Sequence, residues 1–371
     1  IMSLIATQAN NWRLKSTEFD RNMVRMGEYG ALDFFVTQTD SPTSIISEEI
    51  RNKAFASMGH EVQIPVLDYN GSVTVANERS CTIPDNDNTS KLYTLTWATL
   101  SVGFSVVPAA YLNNDIGMAQ DVMRKMQNCT RALLEKMDSL AVAALEANKT
   151  QVFENSLYYT KTGNVIDVPW LMRDNILGDS TPMMRANRYY RNLHVIGNSG
   201  IDAHVRHLAQ HGVYNEQNKR LEYEGKIMHY TNSVVNESGK FGTAFVVEDG
   251  NCAVLTKVDR ESLLGTTTPL HQWEVVNLPL LDLPVGVHTY KDIGDQSATV
   301  GNATKDLTCG VKEYYGISLD VCFVVAYNSA PATIANPIIK FQVANPINGI
   351  PTASPVFIAN DKTNPVNTKA V

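Results

Sequence analysis

The clearest pattern of hydrophobic and polar positions lies between residues 115 and 148. Apolar or small side chains recur there at alternating spacings of three and four: Ile116, Ala119, Met123, Met126, Thr130, Leu133, Met137, Leu140 and Ala144. This period predicts one long amphipathic helix, about 50 Å in length at roughly 1.5 Å per residue. Asn113, Asn114 and Asp115 offer caps at its start. The seam mixes Ala, Thr and Met, which favours packing on a sheet over a coiled coil.

Residues 61–107 show the period of two that is typical of strands. A run from Val62 to Leu67 is followed by the turn signal Asn70-Gly71, and a later strand places Tyr93, Leu95 and Trp97 on one face. A long two-stranded hairpin is marginally stable alone. We therefore expect its apolar face to be covered by another copy of the chain, and predict Tyr93, Leu95 and Trp97 as subunit contacts.

The first sixty residues have a weaker pattern. Two polar segments, Glu18–Tyr29 and Ser47–Met58, look helical and are separated by a stretch around Ser41 and Pro42. This arrangement predicts an arm and not part of a domain core.

Beyond the long helix, short helical and strand patterns mix, which predicts an α+β fold. Helices are predicted at Pro182–Tyr190 and Ile201–His211; strands are predicted at Leu193–Ile196, Ile227–Tyr230, Phe245–Val247, Trp273–Leu278, Val285–Tyr290 and Ile317–Tyr327. The last three strands are expected beside the long helix. From Asn345 the chain holds four prolines and few charges, which predicts an extended tail.

Composition excludes several classes of protein. The net charge is −7, with 31 basic and 38 acidic side chains, which argues against a protein that mainly neutralises phosphates. Five scattered cysteines (Cys81, Cys129, Cys252, Cys309 and Cys322) form no closely spaced pair, so we expect reduced thiols and assembly in the cytoplasm. No run reaches the roughly 18 apolar residues of a membrane span.

One cluster offers possible chemistry. His204, His207 and His211 recur at spacings of three and four on a predicted helix, where two imidazoles could share a metal. We expect no acidic ligand beside them, and a helix that carries polar histidines along an exposed face explains them better than a metal site does. Glycine-rich phosphate loops and glycine-flanked nucleophilic serines are absent. We predict no catalytic residue, cofactor or metal site.

Residues 101–152 carry a resemblance to a known family. SVGFSVVPAAYLNNDI, the long helix, and then RALLEKMDSLAVAALEANKTQV resemble the major capsid proteins of tailed bacteriophages with the Hong Kong 97-like fold. Residues 145–152, LEANKTQV, are the most telling piece. The segment NLHVIGNSG at 192–200 is similar to a strand and turn of the family's axial domain.

The resemblance implies a division of the whole chain. Residues 1–60 would form the N-terminal arm, 61–107 the extended loop, 108–181 and 271–345 the peripheral domain with spine helix 115–148, 182–270 the axial domain, and 346–371 an extended C-terminal tail. It also implies a structural protein and not an enzyme, assembled in the host bacterial cytoplasm into an icosahedral shell around a double-stranded DNA genome.

The partners that the resemblance implies are many copies of the chain itself, as pentamers and hexamers. A separate scaffolding protein or a removed segment, a portal and decoration proteins would complete the particle, with DNA contacted weakly and no membrane involved. Two alternatives stay open: an encapsulin-like compartment, which shares the fold but encloses a cargo enzyme, and a metal-dependent enzyme that uses the 204–211 histidines.

Overall fold

The computed structural model describes residues 28–56, 63–67, 77, 90–111, 115–151, 159–208, 213–215, 220–223, 225–258, 271–277, 284–300, 303–326 and 335–346. Within these ranges helices and strands are mixed, as the sequence predicts. Five helices are present in the described part: α1 (Gly30–Asp40), α2 (Glu48–Ala56), α3 (Asp115–Asn148), α4 (Ile176–Ala186) and α5 (Ser199–Leu208). Short 3-10 helices span Pro108–Tyr111 and Trp170–Asn175.

Fifteen strands form three sheets within the same ranges. The strands are β1 (Gln63–Leu67), β2 (Ser90–Thr94), β3 (Ala98–Val106), β4 (Thr160–Thr162), β5 (Val165–Val168), β6 (Leu193–Gly197), β7 (Val213–Asn215), β8 (Arg220–Tyr223), β9 (Lys226–Tyr230), β10 (Lys240–Glu248), β11 (Cys252–Lys257), β12 (His271–Asn277), β13 (Pro284–Val300), β14 (Ala303–Val325) and β15 (Ile338–Ala344). Among the described strands, β1 and β2 pair only with each other.

The largest sheet has eight strands in the order β4-β5-β15-β10-β6-β9-β8-β7. Its pairs are antiparallel except for β15 with β5 and β6 with β9. Helix α5 packs against β10, β6 and β9. The core beneath it contains Ile166, Val195, Val246 and Phe341, each fully buried, because these strands are apolar on nearly every position.

The second sheet has five antiparallel strands, in which β14 pairs with β3 along one edge and with β13 and β11 along the other, and β12 flanks β13. Helix α3 packs on it through β3 and β14. Its buried face joins Met126, Leu134 and Met137 to Ile317 and Leu319 of β14. The prediction of one 34-residue helix packed on a sheet is confirmed at the same bounds.

The segment predicted as an arm departs from that prediction in its second half. Helix α1 is buried, with Leu32, Phe34 and Phe35 showing no exposed surface, and it packs against α3, β6, β9 and β11. The statement that this region contributes nothing to a core is therefore wrong for Gly30–Asp40. The helix predicted at 47–58 is present as α2, whereas the one predicted at 18–29 lies almost wholly outside the described residues.

Two later helices are displaced from their predicted bounds. The helix predicted to start at Pro182 already begins at Ile176 and holds that proline in its interior. The 3-10 helix Trp170–Asn175 leads into α4 six residues before Pro182, and α4 ends at Ala186, before the predicted end at Tyr190. Helix α5 begins at Ser199, two residues before its predicted start.

Strands β4, β5, β7, β8, β11 and β15 were not predicted. β11, placed by the sequence in the 182–270 domain, lies in the five-stranded sheet, whereas β15, placed in the 271–345 segment, lies in the eight-stranded sheet beside β10. The chain therefore changes sheet near residues 250 and 335 and not at the predicted boundaries after residues 270 and 345. The domain names themselves stay predictions.

Candidate functional site

The β1–β2 pair is a two-stranded ribbon that stands apart from both larger sheets. Its register runs from Gln63 opposite Thr94 to Leu67 opposite Ser90, and within the described residues no third strand joins it. Two strands alone bury too little surface to be stable in water. The predicted turn at Asn70-Gly71 lies outside the described residues.

The predicted contact residues at the base of this ribbon have different environments. Leu95 is only 3% exposed and packs in a cluster with Ile46, Leu255 and Val324, while Trp97 lies against the same cluster. Another copy is not needed to cover Leu95, because α2 and the five-stranded sheet of the same chain bury it. Trp97 is half-buried against the same cluster, so its role as a subunit contact stays a prediction. Tyr93 lies in β2, but its side chain is outside the described residues, so its role stays a prediction.

A second ribbon, which the sequence did not predict, is formed by the distal halves of β13 and β14. Beyond Lys291 and Lys312, the two strands pair only with each other, up to Val300 opposite Ala303, and no described strand flanks them. About ten residues at roughly 3.3 Å each give it a length near 30 Å. Ile293 is 64% exposed on this ribbon, so an apolar side chain stands there without cover from the described chain.

The base of this distal ribbon is held by the 3-10 helix Pro108–Tyr111, which packs against β13, β14 and α3. The Tyr111 hydroxyl donates to Asp121 Oδ2 at 2.5 Å, and Lys125 Nζ lies 2.8 Å from the same atom. Burial, helped by the hydrogen bond to Asp121, raises the pKa of Tyr111 to about 12. The Tyr111 hydroxyl therefore stays protonated at neutral pH. Its hydrogen bond to Asp121 links the base of the distal ribbon to α3.

Helix α1 joins both larger sheets to α3. At its start, the buried Asp138 of α3 accepts a hydrogen bond from Leu32 N at 3.0 Å and another from Thr231 Oγ1. At its end, Thr39 Oγ1 accepts from Val254 N of β11 at 2.7 Å, and Gln38 accepts from Gly250 N. These contacts tie α1 to the framework that carries the ribbons.

Two buried histidines extend the same junction. His194 Nδ1 lies 3.1 Å from His229 Nε2, and Phe34 of α1 packs against both rings. Gln38 Nε2 lies 3.3 Å from His194 Nε2. The two imidazoles therefore form a buried polar contact beneath α1. The hydrophobic periodicity of the sequence does not predict this contact.

Of the three histidines predicted as an alternative metal site, His204 is the one whose side chain the structure describes. His204 Nε2 lies 3.0 Å from Asp174 Oδ1, and its side chain is 12% exposed. An acidic neighbour is therefore present, and His204 does not lie on an exposed helix face, so both expectations are corrected. Asp174 belongs to the 3-10 helix Trp170–Asn175, and the spacing of the histidines along the sequence could not indicate its position. The side chains of His207 and His211 lie outside the described residues. Among the residues that the structure does describe, no group of three ligands is arranged around a metal position.

The described cysteines are free thiols inside the core. Cys129, Cys252 and Cys322 are buried and unpaired. Burial raises the pKa of all three thiols, to about 12 for Cys322. Such thiols pack as small apolar groups and are poor nucleophiles. In the part of the chain that is described, no helix has the length and apolar character needed to cross a membrane.

Comparison with known proteins finds no matching protein family and no matching curated protein. Similar solved structures include the Cyanophage A-1(L) capsid asymmetric unit, at 11% identity over 88% of this chain and 95% of that chain with a TM-score of 0.48. The capsid of Ralstonia phage GP4 follows at 9% identity, 90% and 94% coverage and a TM-score of 0.45. The capsid structure of the Cyanophage P-SCSP1u has 10% identity, 78% and 85% coverage and a TM-score of 0.44. At these values the functional argument rests on the chain's own sequence and geometry.

Proposed function

We propose that this chain is the major capsid protein of a tailed bacteriophage, a structural subunit that assembles in many copies into an icosahedral shell around double-stranded DNA. The observation that carries the proposal is the pair of two-stranded ribbons, β1–β2 and distal β13–β14, on one framework. Each extends beyond the strands that could stabilise it within the described chain. Lateral contact with further copies would supply the missing cover.

The framework suits this role mechanically. Helix α3 runs along the five-stranded sheet that continues into the distal ribbon, so load on the ribbon passes into a 34-residue helix. Helix α1 then links that helix to the eight-stranded sheet. A subunit built this way can transmit contact forces between its edges without relying on a single pocket.

The sequence resemblance in residues 101–152 adds the specific family, and the helix it contains has the predicted bounds. On this proposal the chain acts without catalysis, and its partners are copies of itself in pentamers and hexamers, a separate scaffolding protein, a portal and decoration proteins. Assembly takes place in the host cytoplasm. The acidic net charge of −7 suits a shell that holds DNA without retaining it.

The test is electron microscopy with light scattering on the purified chain, alone and co-expressed with neighbouring phage genes. Shells, tubes or capsomers are expected, and a stable monomer under every condition would refute the proposal. Replacing Ile293 with Asp should weaken assembly because it charges the exposed apolar position of the distal ribbon. Thr304→Asp is the matched control, since Thr304 is an exposed polar residue on the same ribbon.

The contents of the particles separate a capsid from an encapsulin-like compartment. Nuclease-resistant double-stranded DNA in particles from infected cells supports the capsid. A co-purifying enzyme in stoichiometric amount, without DNA, would support the compartment instead.

A further inference from the structure

The face of the five-stranded sheet that points away from α3 carries an aromatic groove. A cavity of about 590 Å³ lies on this face, lined chiefly by Gly103, His271, His288, Tyr290, Tyr314 and Gly316. Side chains alternate between faces along a strand, and the intervening residues Ile317 and Val287 belong to the core beneath α3. The groove therefore lies on the opposite, outer side.

The register explains the shape of this groove. Gly103, Gly316, His288 and Trp273 stand side by side on four adjacent strands, and the next row on the same face contains Ser105, Tyr314, Tyr290 and His271. Two glycines in one row leave the floor at the level of the backbone. Rings form the walls beside it.

The walls are ordered by ring contacts. Trp273 stacks on His288 with ring centroids 3.9 Å apart, and His271 stacks on Tyr290 at 4.7 Å. Burial and the neighbouring His271 lower the pKa of His288, so this ring is neutral at neutral pH. Among the described lining residues none is acidic or is a lysine or arginine. Lys312 lies outside the groove, with its Nζ 4.9 Å from the ring centroid of Tyr314, so the uncharged lining suits an uncharged ligand.

We infer that this groove binds the uncharged, proline-containing segment 347–360 of a second copy of the chain. Grooves walled by aromatic rings recognise proline in extended segments, because such segments expose flat apolar rings at little entropic cost. The segment has Pro351 and Pro355 within an apolar and polar stretch, and no charged residue occurs from Phe341 to Asn360. An uncharged segment thus meets a groove whose described lining carries no acidic or basic side chain other than histidine.

The dimensions agree. Four strands about 4.8 Å apart span about 14 Å, and an extended proline-type segment rises about 3.1 Å per residue, so about five residues cross the groove. Residues 351–355, PTASP, have this length. The described chain leaves β15 within the eight-stranded sheet, away from the sheet that bears the groove, and we therefore assign the segment to a neighbouring copy. In this respect the inference rests on the proposed function.

Photo-crosslinking on the full chain tests the inference. Val275 lies on the same face beside Trp273 and is 51% exposed, so a benzophenone amino acid there should capture whatever fills the groove. An equal mixture of unlabelled and nitrogen-15-labelled protein identifies the source of the crosslinked peptide. We expect peptides from 347–360 in mixed-label pairs. The same probe at Leu171, which is 77% exposed on the 3-10 helix Trp170–Asn175, should not capture them in mixed-label pairs.

A second variant tests the groove without depending on the probe. A Cβ at Gly316 would meet nothing nearer than 3.8 Å, so Gly316→Val should fold while filling the floor. It should reduce the binding of a synthetic 345–358 peptide at least tenfold, whereas Ser101→Val, on the same face outside the groove, should not. Crosslinks to another segment, only same-label pairs, or equal peptide affinity in both variants would overturn the inference. Particle formation is read separately by light scattering, so failure of peptide binding and failure of assembly are distinguished.

Discussion

Asp138 offers a sharp test of how the first helix is held. Its carboxylate, 1% exposed on α3, accepts hydrogen bonds from Leu32 N at 3.0 Å and from Thr231 Oγ1. Leu32 N belongs to the first turn of α1, where backbone donors have no partner within the helix. Tyr29, the residue before α1, makes no side-chain cap. The long helix therefore supplies the cap from outside.

The size of the effect follows from these bonds. Asp138→Ala leaves two buried donors unsatisfied, at about 1–3 kcal/mol each, and also removes an acceptor at a helix N-terminus, so about 3 kcal/mol is expected in total. Since about 1.4 kcal/mol corresponds to a factor of ten, local opening of α1 should become about 100-fold more frequent. Asp138→Asn keeps one acceptor and should cost about 1 kcal/mol.

Hydrogen exchange measured by mass spectrometry on peptides covering Gly30–Asp40 reads this opening directly. Ser139→Ala is the control, because Ser139 is the next residue of α3 and is exposed. The reasoning fails if Asp138→Ala exchanges no faster than the control. It also fails if the acceleration is equal throughout the chain, since that outcome would mean global destabilisation and not loss of a local cap.

Three further outcomes are expected. Leu95→Ala should lower the unfolding free energy by about 2–5 kcal/mol in urea titrations, because it opens a cavity in a closed cluster; a change below 1 kcal/mol would show that the site is not packed. Cys322 should resist iodoacetamide at pH 8 in the folded chain, since burial raises its thiol pKa to about 12, and rapid alkylation detected by mass spectrometry would contradict this. Burial opposes ionisation of Glu146, but hydrogen bonds from Lys149 and Lys340 outweigh it and lower its pKa. Its stabilisation is therefore present above its ordinary pKa and is lost as pH falls through the lowered value, so Glu146→Gln should flatten the loss of melting temperature below about pH 4.

The long helix was predictable because one local signal decided it. Its seam of apolar residues at spacings of three and four continues for nine positions, and caps stand at its start, so local preference and tertiary packing agree. Even here the buried face is wider than the predicted seam. Val122, Cys129, Ala141 and Leu145 are also buried, since α1 and the sheet contact the helix from two sides.

Helix α1 could not be found by local rules, and its cap explains why. The segment starts at Tyr29-Gly30 without a capping side chain, and a glycine is normally a helix terminator. Gly30 is required by space, because a Cβ there would come within 2.2 Å of Tyr230 O. Both the cap from Asp138 and this close approach to β9 are tertiary features, separated by more than 100 residues in the sequence.

The predicted contact residues show the corresponding limit for surfaces. The alternation of apolar and polar residues along a strand predicts that one face is covered. It does not predict whether the same chain or another copy covers that face. Leu95 is buried by its own chain and Trp97 is half-buried there, whereas Ile293 on the unpredicted distal ribbon is 64% exposed with no third strand described beside it. The distal ribbon has charged and small residues among its apolar ones, so its alternation of apolar and polar positions is weak. Its geometry nevertheless supports contact with a neighbouring copy more strongly than the geometry around Leu95 does. The assignment of an assembly surface therefore follows from unpaired strand length and exposure, which only the folded chain reveals.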